Sequence, residues 1–506
     1  MLTKVYSATV LGIGAEVVEV EVDILPGLPA VAMVGLPDIA VRESKDRVRS
    51  AIKHSSAVFP LSRIAVNLAP ADLPKAGTHF DLPIAISILI NSGQLSCETA
   101  TTLFLGELAL DGAVRPVAGV LPIVISAKAK GFRSAIVPFE NAKEAALVGG
   151  LEIIAVKSLA DAVAHLQGVA KISAYPNADI GSLARHHDSA CDMKEIRGQE
   201  HAKRALEIAA AGGHNLLMSG PPGSGKTLLA RTFATILPRM NEEEILEVTK
   251  IYSVAGALAG GANLVTIRPF RSPHHTASAA SLVGGGSIPR PGEISLAHRG
   301  VLFLDEFPEF SASVLESMRQ PMEDGVITVA RAAGTITFPA RFTLVAAQNP
   351  CPCGFYNDPV KPCVCSPGQI LRYAKKISGP LLDRIDLHVE VPRITYEKIT
   401  GADSSESSSV IRERIEAARA LQRERFSAVA RLQTNAEMGS REVKAYCALD
   451  PASQELLRSA LNSLHLSARS YYRVLKVART IADLSAMEKI NHNHLAEALQ
   501  YRPKEE

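Results

Sequence analysis

Apolar residues follow three successive patterns along the chain, and each pattern predicts a different architecture. Residues 1–170 mix short β-branched runs, such as Val17-Val18-Glu19-Val20-Glu21-Val22 and Ile64-Ala65-Val66-Asn67-Leu68, with helical stretches and Gly or Pro turns. That mixture predicts an α/β or α+β domain. Residues 171–193 turn polar, include a pair of histidines and keep no period, which reads as a linker. Across 194–395 the apolar runs Asn215-Leu216-Leu217-Met218, Val301-Leu302-Phe303-Leu304 and Phe342-Thr343-Leu344-Val345-Ala346-Ala347 alternate with helical segments. Continuous apolar strands of this kind belong to a parallel sheet covered on both faces. A Ser-rich break over 396–409 forms a second linker. Beyond it, 410–425, 440–447, 453–464, 468–484 and 493–499 carry apolar residues near helical spacing, predicting a helical lid over 410–506.

The chemistry sits at the ends of two of those strands. Gly220-Pro221-Pro222-Gly223-Ser224-Gly225-Lys226-Thr227 fits G-x-x-x-x-G-K-[ST] between the strand at 215–218 and a helix. Glycines at this spacing let backbone N–H groups close around phosphates, the lysine neutralises the outer phosphates, and the hydroxyl reaches Mg²⁺. Val301-Leu302-Phe303-Leu304 then ends in Asp305-Glu306, one carboxylate to hold Mg²⁺ and one to orient water. Together these residues predict Mg²⁺-dependent ATP binding and hydrolysis.

Composition narrows the class without choosing a partner. With 47% apolar and 21% charged residues in 506, the chain can bury several ordinary globular cores. A net charge of +2 is too small to attract a polyanion in bulk, so any nucleic-acid contact is a local patch. No apolar run is long enough to cross a bilayer and no signal-peptide pattern opens the chain, so the expectation is a cytoplasmic protein without a membrane partner. Four of the seven cysteines, Cys351, Cys353, Cys363 and Cys365, crowd into two C-x-C pairs directly after Asn349-Pro350. Four thiolates on one short loop can close a tetrahedral structural Zn²⁺ site; the alternative is four reduced or oxidised thiols. Cys97, Cys191 and Cys447 read as small buried hydrophobes.

A phosphate-loop sheet followed by a helical lid resembles the AAA+ ATPases, and the remaining motifs sharpen the resemblance. Asn349, ending a strand, stands where that superfamily places its sensor-1 residue. Leu381-Leu382-Asp383-Arg384-Ile385-Asp386 is similar to the arginine-finger segment of the magnesium-chelatase and minichromosome-maintenance branch, which implies that Arg384 acts on a neighbouring subunit's nucleotide. The competing reading is a surface pair with Asp386 or Asp383. Ser467-Ala468-Arg469 resembles sensor 2, with Arg473 one turn on as the rival to Arg469. Three longer strings, at 268–278, 284–298 and 377–386, are similar to the magnesium-chelatase-like bacterial ATPases called ComM or YifB. The resemblance spans nearly the whole chain. It implies a hexameric motor, and for ComM a helicase that drives branch migration of single-stranded DNA during natural transformation. Single-stranded and branched DNA and a homo-hexamer are therefore the expected partners.

A β-hairpin is predicted over 327–338 with Arg331 near its tip. It resembles the pore hairpin of minichromosome-maintenance helicases, where a basic side chain grips phosphates without reading sequence. Arg290, in a Gly- and Pro-rich insert, is a second basic candidate, while adjacent His274 and His275 carry no assigned chemistry. Within 1–170, the strings at 66–75, 81–85 and 105–112 resemble a Lon-protease-like domain. Where active Lon enzymes carry a serine and a lysine, this chain has Thr78-His79 and Leu121, so no Ser–Lys dyad is present and the domain reads as an inactive scaffold. Three rivals to the DNA motor remain: a metal-chelatase motor, a protein-remodelling chaperone of the MoxR type, and an ATP-dependent protease.

Overall fold

The computed structural model describes residues 3–177, 191–258, 264–286, 289–331, 334–394, 406–429, 432–463 and 467–503. The greater part of both expected linkers lies outside those residues. The N-terminal region builds one mixed seven-stranded sheet in the order Ala30–Val34, Arg63–Ala69, Gly14–Leu25, Thr3–Leu11, Thr102–Phe104, Ser134–Pro138, Glu152–Val156. Thr3–Leu11 and Gly14–Leu25 form an antiparallel hairpin, and the three strands beyond Thr3–Leu11 are parallel. In Arg63–Ala69 buried residues alternate with more accessible ones, because period two puts Ile64, Val66 and Leu68 on the core face. The helix Asp81–Asn91 is buried from Asp81 to Leu89. Such an all-round apolar helix requires neighbours on every side.

The second sheet is five-stranded, in the order Phe270–Arg271, Val301–Leu304, Thr343–Gln348, Leu216–Ser219, Leu387–Glu390, with every neighbouring pair parallel. All four residues of Val301–Leu304 are buried, as the unbroken apolar run requires. Because all strands run the same way, their carboxyl ends share one edge, where ligands of open α/β sheets bind. Ser219, Leu304 and Gln348 end three adjacent strands there, and the chemically marked residues follow each of them.

C-terminal helices span Ser408–Arg425, Ser440–Tyr446, Pro451–Ser463, Ala468–Leu484 and His492–Gln500. They share one hydrophobic core with the sheet domain: Val474, Val477 and Ile481 pack with Leu206, Ala209 and Leu216. A buried polar relay crosses the same seam. Asp386 accepts from Arg473 Nη1 at 2.5 Å and approaches His214 Nδ1 at 3.3 Å. Although burial alone would raise the Asp386 carboxyl, Arg473 and His214 hold it well below the usual carboxylate range.

The N-terminal region is joined to the sheet domain by apolar packing. Val120, Leu121 and Val124 share a core with Met240, Ile245 and Val248 of the other domain. Full burial of each such side chain contributes about 1.5–3 kcal/mol. Backbone N–H of Gly119 also donates to Ser253 O at 3.0 Å. A second contact brings the Gly12 turn against Ile336 of the hairpin Val326–Arg331/Gly334–Pro339. Of the scattered cysteines, Cys447 is buried as expected. Cys97 and Cys191 are only half-buried and correct the reading of all three as core residues.

Candidate active site

The loop after Leu216–Ser219 wraps back so that the helix Lys226–Ile236 begins inside it. Gly225 caps that helix at φ 93°, left-handed backbone that a β-carbon disfavours. At Gly223 and Gly225 an added β-carbon would meet nothing within 4 Å, so both glycines border open space. Ser224 Oγ is buried there without a hydrogen-bond partner among the described residues. An open cradle with an orphaned donor at a helix N-terminus fits an anionic ligand.

Lys226 is buried and its ammonium donates to Gly220 O at 2.6 Å, Pro221 O at 3.0 Å and Asn349 Oδ1 at 3.2 Å. Burial lowers its pKa from the ordinary lysine value, and the nearby Asp305 carboxylate opposes that shift. Thr227 Oγ1 donates to Asp305 Oδ2 at 2.8 Å. Phosphate loop, strand-end carboxylate and Asn349 thus meet in one place, although they are far apart in sequence. The hydroxyl and carboxylate that a Mg²⁺ ion needs already face each other.

Glu306 adopts a left-handed backbone, φ 52°, unusual for a residue with a β-carbon, and its N–H donates to Asp305 Oδ1 at 3.0 Å. His275 Nδ1 lies 3.1 Å from Glu306 Oε2. His274, by contrast, serves its own turn, with Nδ1 2.9 Å from Thr276 Oγ1. Sequence alone did not separate the two histidines, because the contact that distinguishes them crosses from one loop to another.

Arg384 is buried, and forms neither of the surface pairs that its neighbours in sequence suggest. Nη2 meets Glu323 Oε2 at 2.6 Å and Nη1 donates to Pro380 O at 2.6 Å, while Nε has no partner among the described residues. Arg469 Nη2 approaches the other oxygen of Glu323 at 3.4 Å. Glu323 therefore gathers Arg384 and Arg469, whereas Arg473 is committed to Asp386. Among the described contacts, none ties either Arg384 or Arg469 to the phosphate loop of the same chain.

The four clustered thiols converge. Sγ–Sγ distances are 3.4 Å for Cys351–Cys353, 3.7 Å for Cys351–Cys363 and 3.6 Å for Cys353–Cys363, and all four sulfurs including Cys365 lie within 4.8 Å of one another. Four thiolates placed about 2.3 Å from one tetrahedral ion stand about 3.8 Å apart, so the donor set fits zinc. Backbone N–H groups of Val364 and Phe355 push the Cys353 thiol down to about 6, whereas burial and the neighbouring thiols push Cys363 and Cys365 up, so the donor set rests on the convergence of the four sulfurs and not on their titration. This loop touches the nucleotide site: a β-carbon on Gly354 would lie 2.7 Å from Pro222 Cδ and 3.8 Å from Asn349 Cγ.

The hairpin register pairs Arg331 with Gly334, which puts Arg331 at the tip end of its strand; its side chain lies outside the described residues. Ile327, Val329 and Phe338 anchor the base in the core. Arg290 is exposed on a short antiparallel pair, opposite Gly285. In the N-terminal region the places of the missing dyad are closed. Lys75 Nζ donates to Pro70 O, His79 Nε2 sits 2.7 Å from Ala8 O, and Leu121 is buried. Burial lowers His79 to about 4, so it stays neutral at physiological pH.

A five-stranded parallel sheet with a phosphate loop, strand-end Asp-Glu, strand-end Asn and helical lid defines a nucleotide-binding protein of the AAA+ class. The chain belongs to the magnesium-chelatase-like family that includes ComM and YifB. The family model described as magnesium chelatase, subunit ChlI, matches residues 192–399; subunit ChlI of Mg-chelatase matches 20–141; and the ChlI C-terminal model matches 405–502. Competence protein ComM of Haemophilus influenzae is 46% identical over 504 residues, covering 99% of this chain and 97% of that protein. YifB of Escherichia coli is 44% identical over 507 residues, covering 99% and 97%. The magnesium-chelatase 67 kDa subunit of Chlorobaculum parvum is 32% identical over only 162 residues, 31% of this chain and 23% of that protein.

Proposed function

We propose that this chain is a homo-hexameric ATP-dependent DNA motor that drives branch migration when incoming single-stranded DNA recombines during natural transformation. The observation that carries the ATPase half is the meeting of Lys226, Thr227, Asp305 and Asn349 at adjoining carboxyl ends of one parallel sheet. Full-length similarity to a protein named for competence supports the DNA half. The magnesium-chelatase subunit shares less than a third of the chain, which gives a chelatase motor weaker support. The motor's proposed place is the cytoplasm; no helix of the described residues is long and apolar enough to cross a membrane.

In this reading Lys226 exchanges its loop carbonyls for phosphate oxygens of ATP. Thr227 and Asp305 would hold Mg²⁺, which would supply charge neutralisation for phosphoryl transfer. Glu306 orients the attacking water, and Asn349 reports the outer phosphate to the strand it ends. Arg384 reads the nucleotide of the adjacent subunit, giving up Glu323 for a phosphoryl oxygen, and Arg469 is a second nucleotide-reading arginine. Arg331 and Arg290 hold the DNA backbone.

Cys351, Cys353, Cys363 and Cys365 bind one structural zinc that stiffens the loop carrying Gly354 against Pro222 and Asn349. Metal analysis of purified protein is expected to give about one zinc per chain, and Cys363→Ser to lower it. Folded wild-type protein free of metal would refute this.

The DNA half is tested by measuring the ratio of ATPase rates with and without single-stranded DNA, beside the same ratio for an unfolded protein. DNA is expected to stimulate and unfolded protein not to. Arg331→Ala is expected to weaken DNA binding across sequences, to flatten its salt dependence by about one counterion, and to bring the stimulation ratio towards one. A wild-type ratio in this variant would remove Arg331 from the mechanism.

A further inference from the structure

The carboxylate of Glu306 is poorly constrained by its own loop. Its side chain is 55% exposed, and its backbone occupies a left-handed conformation that residues with a β-carbon rarely adopt. Strain of that kind persists only where surrounding contacts hold it. Among the described residues the only side chain within ion-pair distance of this carboxylate is His275, at 3.1 Å. His275 has ring neighbours on two sides: its centroid lies 4.2 Å from that of His274, tilted by 33°, with His274 tied to Thr276, and it meets Phe310 edge-on at 6.5 Å.

We propose that His275 is the positioning residue for Glu306, its Nδ1 holding the carboxylate in the orientation needed to direct water. This rests on Glu306 being the water-orienting residue, and it adds a group that neither the phosphate loop nor the strand-end carboxylates provide. In this proposal the imidazole acts through Glu306, the carboxylate it meets. His275 also belongs to the segment that begins after Phe270–Arg271 and returns at Arg290–Pro291.

Substitution at His275 separates positioning from packing. The amide N–H of asparagine occupies nearly the place of imidazole Nδ1, while that of glutamine reaches the place of Nε2. His275→Ala is expected to lower kcat for ATP about tenfold, with KM within about twofold, because a group acting on the water affects the transition state and not ground-state binding. His275→Asn is expected to recover most of the loss and His275→Gln little of it, with thermal melting confirming that all three variants fold. Wild-type kcat in His275→Ala, a loss carried by KM, or equal loss in the Asn and Ala variants would overturn the proposal. Glu306→Gln measured alongside keeps the two levels apart: if that variant still turns over, the reading of Glu306 fails first, and if it is dead while His275→Ala is normal, only the role of His275 fails.

Discussion

Glu306→Gln is expected to bind ATP with wild-type affinity and to hydrolyse it at least about 100-fold more slowly, since the amide keeps the shape of the side chain but cannot accept a proton from water. Asp305 and Thr227 remain paired in this variant, so metal and phosphate binding persist. Under the proposed assembly, subunits that hold ATP without releasing it are expected to accumulate as rings, which size-exclusion chromatography in ATP checks. Steady-state hydrolysis at the wild-type rate would remove Glu306 from the chemistry. Loss of ATP binding would instead mark it as a structural residue.

Arg384→Ala carries the second large effect. An arginine supplied across an interface contributes about 10³-fold or more to kcat, so the homo-oligomer of this variant is expected to be nearly inactive. Mixed with Lys226→Ala subunits it is expected to regain activity, because in the proposed oligomer some interfaces would join an intact phosphate loop to an intact arginine. The structure gives this test its point: Arg384 and Arg469 share Glu323, whereas Lys226 bonds to its own loop and Asn349. A mixture no more active than its components, with subunit exchange demonstrated, would contradict action in trans. Removal of Arg384 also leaves Glu323 with only the more distant Arg469, so thermal stability is compared in the same preparation.

The nucleotide site was legible in the sequence because each part is local. A strand followed by a glycine-rich loop and a helix must form a cradle, and a buried strand ending in Asp-Glu must deliver those carboxylates to the sheet's edge. Helical periodicity likewise placed the lid helices to within a residue or two, because an amphipathic stripe depends only on its own segment. Pairings between distant segments were not legible. Arg384 has two aspartates nearby in sequence, yet the helix end at Asp383 and the strand beginning at Leu387 send Asp386 to Arg473 and His214, leaving Arg384 to Glu323. His274 and His275 look equivalent until Glu306 is brought to one of them. The packing of Val120 and Val124 on Ile245 and Val248 was equally hidden, since apolar residues on two helices announce burial but not which helix buries which.

Branch migration on a three-strand DNA substrate tests the central claim most directly. Wild-type protein with ATP and Mg²⁺ is expected to move the branch point, and Lys226→Ala, which cannot hold the outer phosphates, is expected to leave it where it started. Wild-type protein that hydrolyses ATP and binds the substrate, yet leaves the branch point unmoved, would contradict the account.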